Sequence, residues 1–91
     1  MANRKEYQVY RLRNPKRREI YYGVTKNYES RWSEHYEGQV PETSHWDFTE
    51  DRARDILLED KLTRSKAAKK AEELKKSGPP ENFKGYVIIA L

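Results

Sequence analysis

Two tyrosines, an arginine and a histidine supply hydroxyl, guanidinium and imidazole groups, types that could serve hydrolytic chemistry. Tyr10 closes "QVY" and Tyr21 opens "YYG"; Arg31 follows Tyr21 by ten residues and His35 follows Arg31 by four. Hydrolysing a phosphodiester requires an activated water, a neutraliser for charge on the phosphoryl oxygens and help for the leaving oxygen. Arginine is a planar donor that stays protonated, and histidine titrates closest to neutral pH. A tyrosine hydroxyl, with an ordinary pKa of about 10, becomes a usable base only where cations lower it. Each residue also has a plainer role. Tyr10 and Tyr21 would pack as cross-strand aromatics, and Arg31 and His35 would lie on a solvated helical face. One at a time the plainer roles prevail; the four together point to chemistry.

Strands and helices must bring these groups together. Residues 6–13, "EYQVYRLR", read as a strand, and Glu19 to Thr25, "EIYYGVT", as a second. "NPKR" supplies the turn between them, giving an antiparallel hairpin with a basic tip. Gly23 inside a strand signals a bend, a bulge or a close backbone approach. Asn27 reads as a helix N-cap and Gly38 as the residue beyond the helix end. Between them Tyr28, Trp32, His35 and Tyr36 share one side at helical spacing, with Arg31 and His35 on a neighbouring strip. Gln39 to Glu50 is polar and holds Pro41, so it reads as a loop with a short turn around Trp46 and Phe48. Arg52 to Glu59 reads as a third strand, with Ile56 to Leu58 at its buried end.

A second helix starts at a cap on Thr63 or Ser65 and runs to about Lys76, where "SGPP" stops it. Its apolar stripe is Ala67, Ala68, Ala71 and Leu74. "GYVIIAL" forms a last strand or an extended tail. The order hairpin, helix, strand, helix, strand gives an α+β fold, a small antiparallel or mixed sheet flanked by helices, in a single domain over residues 1–91.

With 91 residues and 35% hydrophobic side chains, the core is small and must be built from aromatics and two clusters, Ile56 to Leu58 and Val87 to Ile89. The absence of cysteine excludes a disulfide framework and a thiolate metal site and is compatible with the cytoplasm. No apolar run is long enough to span a membrane, and no partner membrane or nucleotide cofactor is expected. The net charge of +4 is uneven, since "RLRNPKRR" crowds Arg11, Arg13, Lys16, Arg17 and Arg18 into one neighbourhood. Such crowding suits a phosphate backbone, although it also serves solubility alone.

The ordered set resembles the GIY-YIG nuclease domain. The family's Gly-Ile-Tyr corresponds to Gln8-Val9-Tyr10 and its Tyr-Ile-Gly to Tyr21-Tyr22-Gly23, followed by "VT". Arg31 and His35 match the arginine and histidine on the following helix, and "PPEN" offers Pro79 and the family's later asparagine, Asn82. By this resemblance the chain is a DNA endonuclease with one divalent metal, Mg²⁺ or Mn²⁺. Tyr10 would act as general base or position the water, Tyr21 would hold the phosphate, Arg31 would stabilise charge and His35 would assist proton transfer. Arg11, Arg13, Lys16, Arg17, Arg18, Lys26 and Asn82 would contact nucleic acid, with the hairpin tip adding a cation near the attacking water.

The family holds its metal through one glutamate on the helix after the third strand, four residues beyond an alanine. Counting from Ala68 puts that glutamate at Glu72, the expected metal ligand; counting from Ala67 puts it at Ala71, which carries no ligand. Glu72 lies one helical step, roughly 100°, from Ala71. The expectations that remain open are therefore an active nuclease, a nucleic-acid-binding module without cleavage, and a protein-interaction domain on the same scaffold.

Overall fold

The computed structural model describes residues 5–89. β1 (Tyr7–Asn14) and β2 (Glu19–Thr25) form an antiparallel hairpin in unbroken register from Gln8 opposite Thr25 to Asn14 opposite Glu19. β3 (Arg54–Leu62) pairs antiparallel with the other side of β1, and β4 (Val87–Ile88) runs parallel to β2. The sheet is mixed, with order β3-β1-β2-β4, and carries α1 (Tyr28–Tyr36) and α2 (Arg64–Ser77). This is the α+β arrangement expected from the sequence.

Strand alternation divides the core between the two faces of the sheet. Tyr10, Leu12 and Tyr21 form one cluster with Trp46, Phe48 and Ala53, and Tyr28 and Trp32 of α1 pack against it. Val9, Ile20 and Tyr22 are buried on the opposite face. There α2, lying along β1 and β2, buries Ala67 and Ala71, two methyl groups one helical turn apart. Thr63 caps α2 as expected, its hydroxyl accepting from the Lys66 N–H at 3.3 Å. Gly78, at φ 78°, leaves the helix in the left-handed region that glycine enters freely.

The core differs from the sequence expectation in three places. β3 begins at Arg54 rather than Arg52, and Ile56 is 46% exposed. It is an edge strand, α2 lies over β1 and β2 instead, and its register with β1 shifts near Glu59. Val87 is likewise exposed, on a two-residue edge strand. The missing apolar area comes from the segment expected to be a polar loop. Val40, Trp46 and Phe48 are buried, and Phe48 stacks edge-on against Trp32 at 5.4 Å. Burying each of these two aromatics contributes on the order of 2–3 kcal/mol. On α1 only His35 is fully buried, while Tyr36 stands mostly in solvent. Of the C-terminal segment, residues 90 and 91 lie outside the described residues.

The hairpin tip is anchored to the core. Asn14 and Asp51 are both buried, and the Asn14 amide donates to Asp51 Oδ2 at 2.8 Å. Arg17 Nε donates to the same oxygen at 3.3 Å, and Lys16 Nζ lies 4.0 Å from Oδ1. Asp51 is held below the usual carboxylate range, first by the Asn14 hydrogen bond, with burial opposing and the Asp47 N–H and the Arg17 and Lys16 charges assisting.

Candidate active site

Gly23 makes room for the first tyrosine. It faces Tyr10 across the hairpin, and a Cβ placed on it would fall 2.3 Å from both the Cζ and the hydroxyl oxygen of Tyr10. The glycine is required by space rather than by its backbone angle, so the close approach signalled by its place in a strand is the one that occurs. With the ring lying over Gly23, the Tyr10 hydroxyl meets His35 Nε2 at 2.8 Å. His35 Nδ1 in turn meets Thr43 Oγ1 at 2.7 Å. A neutral imidazole protonated on Nδ1 satisfies both bonds, with the Tyr10 hydroxyl donating to Nε2 and Nδ1–H donating to the threonine. Tyr21 closes the cluster, its ring 4.9 Å from that of His35 and 6.1 Å from that of Tyr10.

Local contacts set α1 so that His35 points inward. Asn27 Oδ1 accepts from the Ser30 N–H at 3.1 Å, the N-cap bond expected of an asparagine there. Gln8 Oε1 accepts from the Tyr28 N–H at 2.8 Å. Gln8 occupies the place where the resembled motif has glycine, and here it ties β1 to the first turn of the helix. The Tyr28 hydroxyl bonds to Asp55 of β3, a second tie between helix and sheet.

Burial controls the electrostatics of the cluster. Tyr10 and His35 have 1% and 0% of their surface exposed. Burial raises the Tyr10 pKa above its ordinary value and the neighbouring Tyr21 adds to the rise; Arg31 works in the opposite direction and does not prevail. Among the protein's own groups, desolvation therefore outweighs the Arg31 charge at Tyr10. His35 is lowered from 6.5 to about 4, by burial first and the Arg31 charge second, against a weaker pull from Glu34. It is neutral at pH 7. Burial disfavours the Arg31 charge, but contacts with Tyr10, Glu34 and Tyr21 outweigh it and hold the guanidinium firmly protonated.

Arg31 is the member of the set that solvent reaches. Its Nη1 donates to Glu34 Oε1 at 2.8 Å across one turn of α1. It lines an open cleft of about 430 Å³ together with Val24, Thr25, Lys26, Asn27, Ser30 and Glu34. Lys26 also pairs with Glu6 at 3.5 Å and lies over the Tyr7 ring.

The structure thus gathers Tyr10, Tyr21 and His35, with Arg31 at the rim. The other residues singled out from the sequence lie elsewhere. Glu72 is exposed on α2 and is in no ion pair among the described residues, whereas Ala71, the alternative position, is 4% exposed and faces the sheet. Lys16 and Arg17 are committed to Asp51, and Arg18 is exposed at the turn with φ 55°. Arg11, Arg13 and Asn82 line a separate cleft. A hard divalent cation requires at least one carboxylate oxygen and keeps several waters. No group of three or more potential ligands gathers among the described residues, and Glu72, the expected ligand, stands as an exposed carboxylate on α2. Sequence reasoning missed Thr43, which orients His35, and Glu34, which holds Arg31. The i,i+3 spacing of Arg31 and Glu34 was the signal for the second; nothing local marks the first.

No match is found among curated proteins or among solved structures. The family model for the GIY-YIG catalytic domain matches residues 6–77, a span that holds both tyrosines, Arg31, His35 and the whole of α2. The chain belongs to the GIY-YIG catalytic domain family.

Proposed function

We propose that the protein is a DNA endonuclease that hydrolyses phosphodiester bonds at the rim of the Tyr10–Tyr21–His35 cluster. The observation that carries this reading is the convergence of three side chains from β1, β2 and α1 on one point, with a permanently charged guanidinium at its edge. A scissile phosphate would take Arg31 in exchange for Glu34, which gives up only an exposed pair worth about 0–1 kcal/mol. Tyr21 would hold a phosphoryl oxygen through its hydroxyl. Tyr10, with its raised pKa, serves better as a neutral donor and acceptor that positions water than as an ionised base. Neutral His35, bonded to the Tyr10 hydroxyl on one side and to Thr43 on the other, would orient that hydroxyl for proton transfer. Glu72 would hold Mg²⁺ or Mn²⁺ as a solvated carboxylate on α2, the helix that covers the sheet face opposite the cluster. A bound divalent ion supplies charge neutralisation and an acidic bound water.

A second reading is favoured by the buried methyl of Ala71. If the family's carboxylate position is that one, the domain binds DNA through its phosphates and does not cut. Supercoiled plasmid incubated with Mg²⁺ or Mn²⁺ separates the two. Under the first reading nicking occurs, EDTA stops it, and both Tyr21→Phe and Glu72→Ala lose it. Salt-sensitive DNA binding without nicking at any metal concentration overturns it in favour of the second.

A further inference from the structure

Three arginines meet on the sheet face opposite the Tyr10–His35 cluster, and among the described residues no carboxylate forms an ion pair with them. Arg13 and Arg54 are direct cross-strand partners, and Arg11 lies two residues along β1 on the same side. Like charges facing each other across a sheet destabilise it. The three side chains line a cleft of about 430 Å³ with Ile56, Asn82 and Phe83. Asp55 also borders the cleft, but it stands opposite Leu12 on the other face of β3, where its Oδ2 accepts from the Tyr28 hydroxyl of α1, and it is in no ion pair among the described residues. Among the described residues no ion pair involves Arg11, Arg13 or Arg54, and the buried Nε of Arg11 has no hydrogen-bond partner. The contrast with the hairpin tip is direct, because there Lys16 and Arg17 share the buried carboxylate of Asp51.

The guanidiniums are also held in place. Those of Arg11 and Arg13 lie over the Phe83 ring, 4.8 and 5.1 Å from its centre. Stacking on an aromatic face fixes a guanidinium plane while leaving its N–H fork free. Phe83 sits on a short 3₁₀ turn, Glu81–Phe83, that also brings the Asn82 amide to the cleft. An oriented set of forked donors outside any described ion pair, with one neutral amide, matches the tetrahedral oxygens of a phosphoryl group.

We propose that Arg11, Arg13, Arg54 and Asn82, braced by Phe83, form a phosphoryl-binding site separate from the Tyr10–His35 cluster. Its ligand is a phosphate of a nucleic-acid strand, terminal or internal. The site stands whether or not the domain cuts DNA, since it uses none of the residues assigned to hydrolysis.

The arginine Nε–H resonances of the full chain provide the test, titrated separately with inorganic pyrophosphate, a 5′-phosphorylated oligonucleotide and the same oligonucleotide with a 5′-hydroxyl. Saturable shifts of the Arg11, Arg13 and Arg54 signals with pyrophosphate are expected. Arg54→Gln should weaken pyrophosphate binding on the order of tenfold, as loss of one charge-assisted donor pair does. Arg64→Gln, which removes the same charge from the exposed start of α2, should leave it unchanged. Shifts with the 5′-phosphorylated strand alone place a terminal phosphate in the site, and shifts with both strands place an internal one. Phe83→Leu keeps every charge and should also weaken binding, which covers the case of an Arg54 variant that folds poorly. Absence of shifts with all three probes, or equal weakening by Arg64→Gln and Arg54→Gln, overturns the proposal.

Discussion

Acidification should unfold this protein in a window set by His35. The imidazole is wholly buried and its pKa is lowered from 6.5 to about 4. Between those values the unfolded chain binds a proton that the folded chain refuses, so stability is fully present above about pH 6.5 and is lost as pH falls to about 4. The interval is about 2.5 pH units, and at 1.36 kcal/mol per unit the loss is about 3 kcal/mol. For a domain of this size that is a large share of the total, and it corresponds to a fall in Tm of roughly 10–25 °C. Urea unfolding followed by tryptophan fluorescence from pH 7.5 to 4, at constant ionic strength, measures it. His35→Gln cannot take up the proton, so the difference between wild type and variant isolates the imidazole from the carboxylates. Glu19 and Asp51 are both held below their ordinary values, and their contributions are lost only at the acidic end of the range and below it. The difference should shrink by about 3 kcal/mol from pH 7 to pH 4. Parallel curves for wild type and variant would refute a buried, neutral His35.

Three other outcomes follow from the packing. Gly23→Ala drives a methyl into a Tyr10 ring pinned by His35, so it should cost about 1–3 kcal/mol in urea unfolding. It should also disturb the Tyr10 and His35 ring signals in NMR. Asp51→Ala leaves the buried Asn14 amide without its acceptor and frees Lys16 and Arg17; about 1–3 kcal/mol should be lost, with hydrogen exchange rising at the hairpin tip. Ala71→Glu decides between the two registers of α2. If position 71 is the ligand position, metal-dependent nicking rises in the variant; if Glu72 already serves, the buried charge only destabilises the domain, as a melting scan would record.

The hairpin, both helices and their caps were legible in the sequence because their signals are local. Asn14 and Pro15 mark the turn, Asn27 and Thr63 the helix starts, and "SGPP" the end of α2. The cluster was legible too, from the order of Tyr10, Tyr21, Arg31 and His35. What could not be read was burial across long separations. The run "ILL" looks like core, yet Ile56 and Leu57 sit on an edge strand and are exposed. Trp46 and Phe48 stand among polar residues and look like loop, yet they close the core over Leu12 and Tyr21. For the same reason Thr43 escaped notice, since its link to His35 exists only after that loop folds back. The tie from the basic tip to Asp51, thirty-four residues from Arg17, could not be read locally either, and Arg54 became part of a charged cleft only through its register with Arg13.

The most direct test of hydrolysis at this cluster is single-turnover nicking of supercoiled DNA in Mn²⁺, with protein in excess, for wild type beside Arg31→Ala. A guanidinium that neutralises charge as the bond breaks should be worth on the order of 100-fold or more in rate. Nicking by wild type, and a loss of that size in the variant with DNA binding retained, is the predicted result. Wild type that binds DNA and leaves it intact, or a variant that nicks at the wild-type rate, would contradict it.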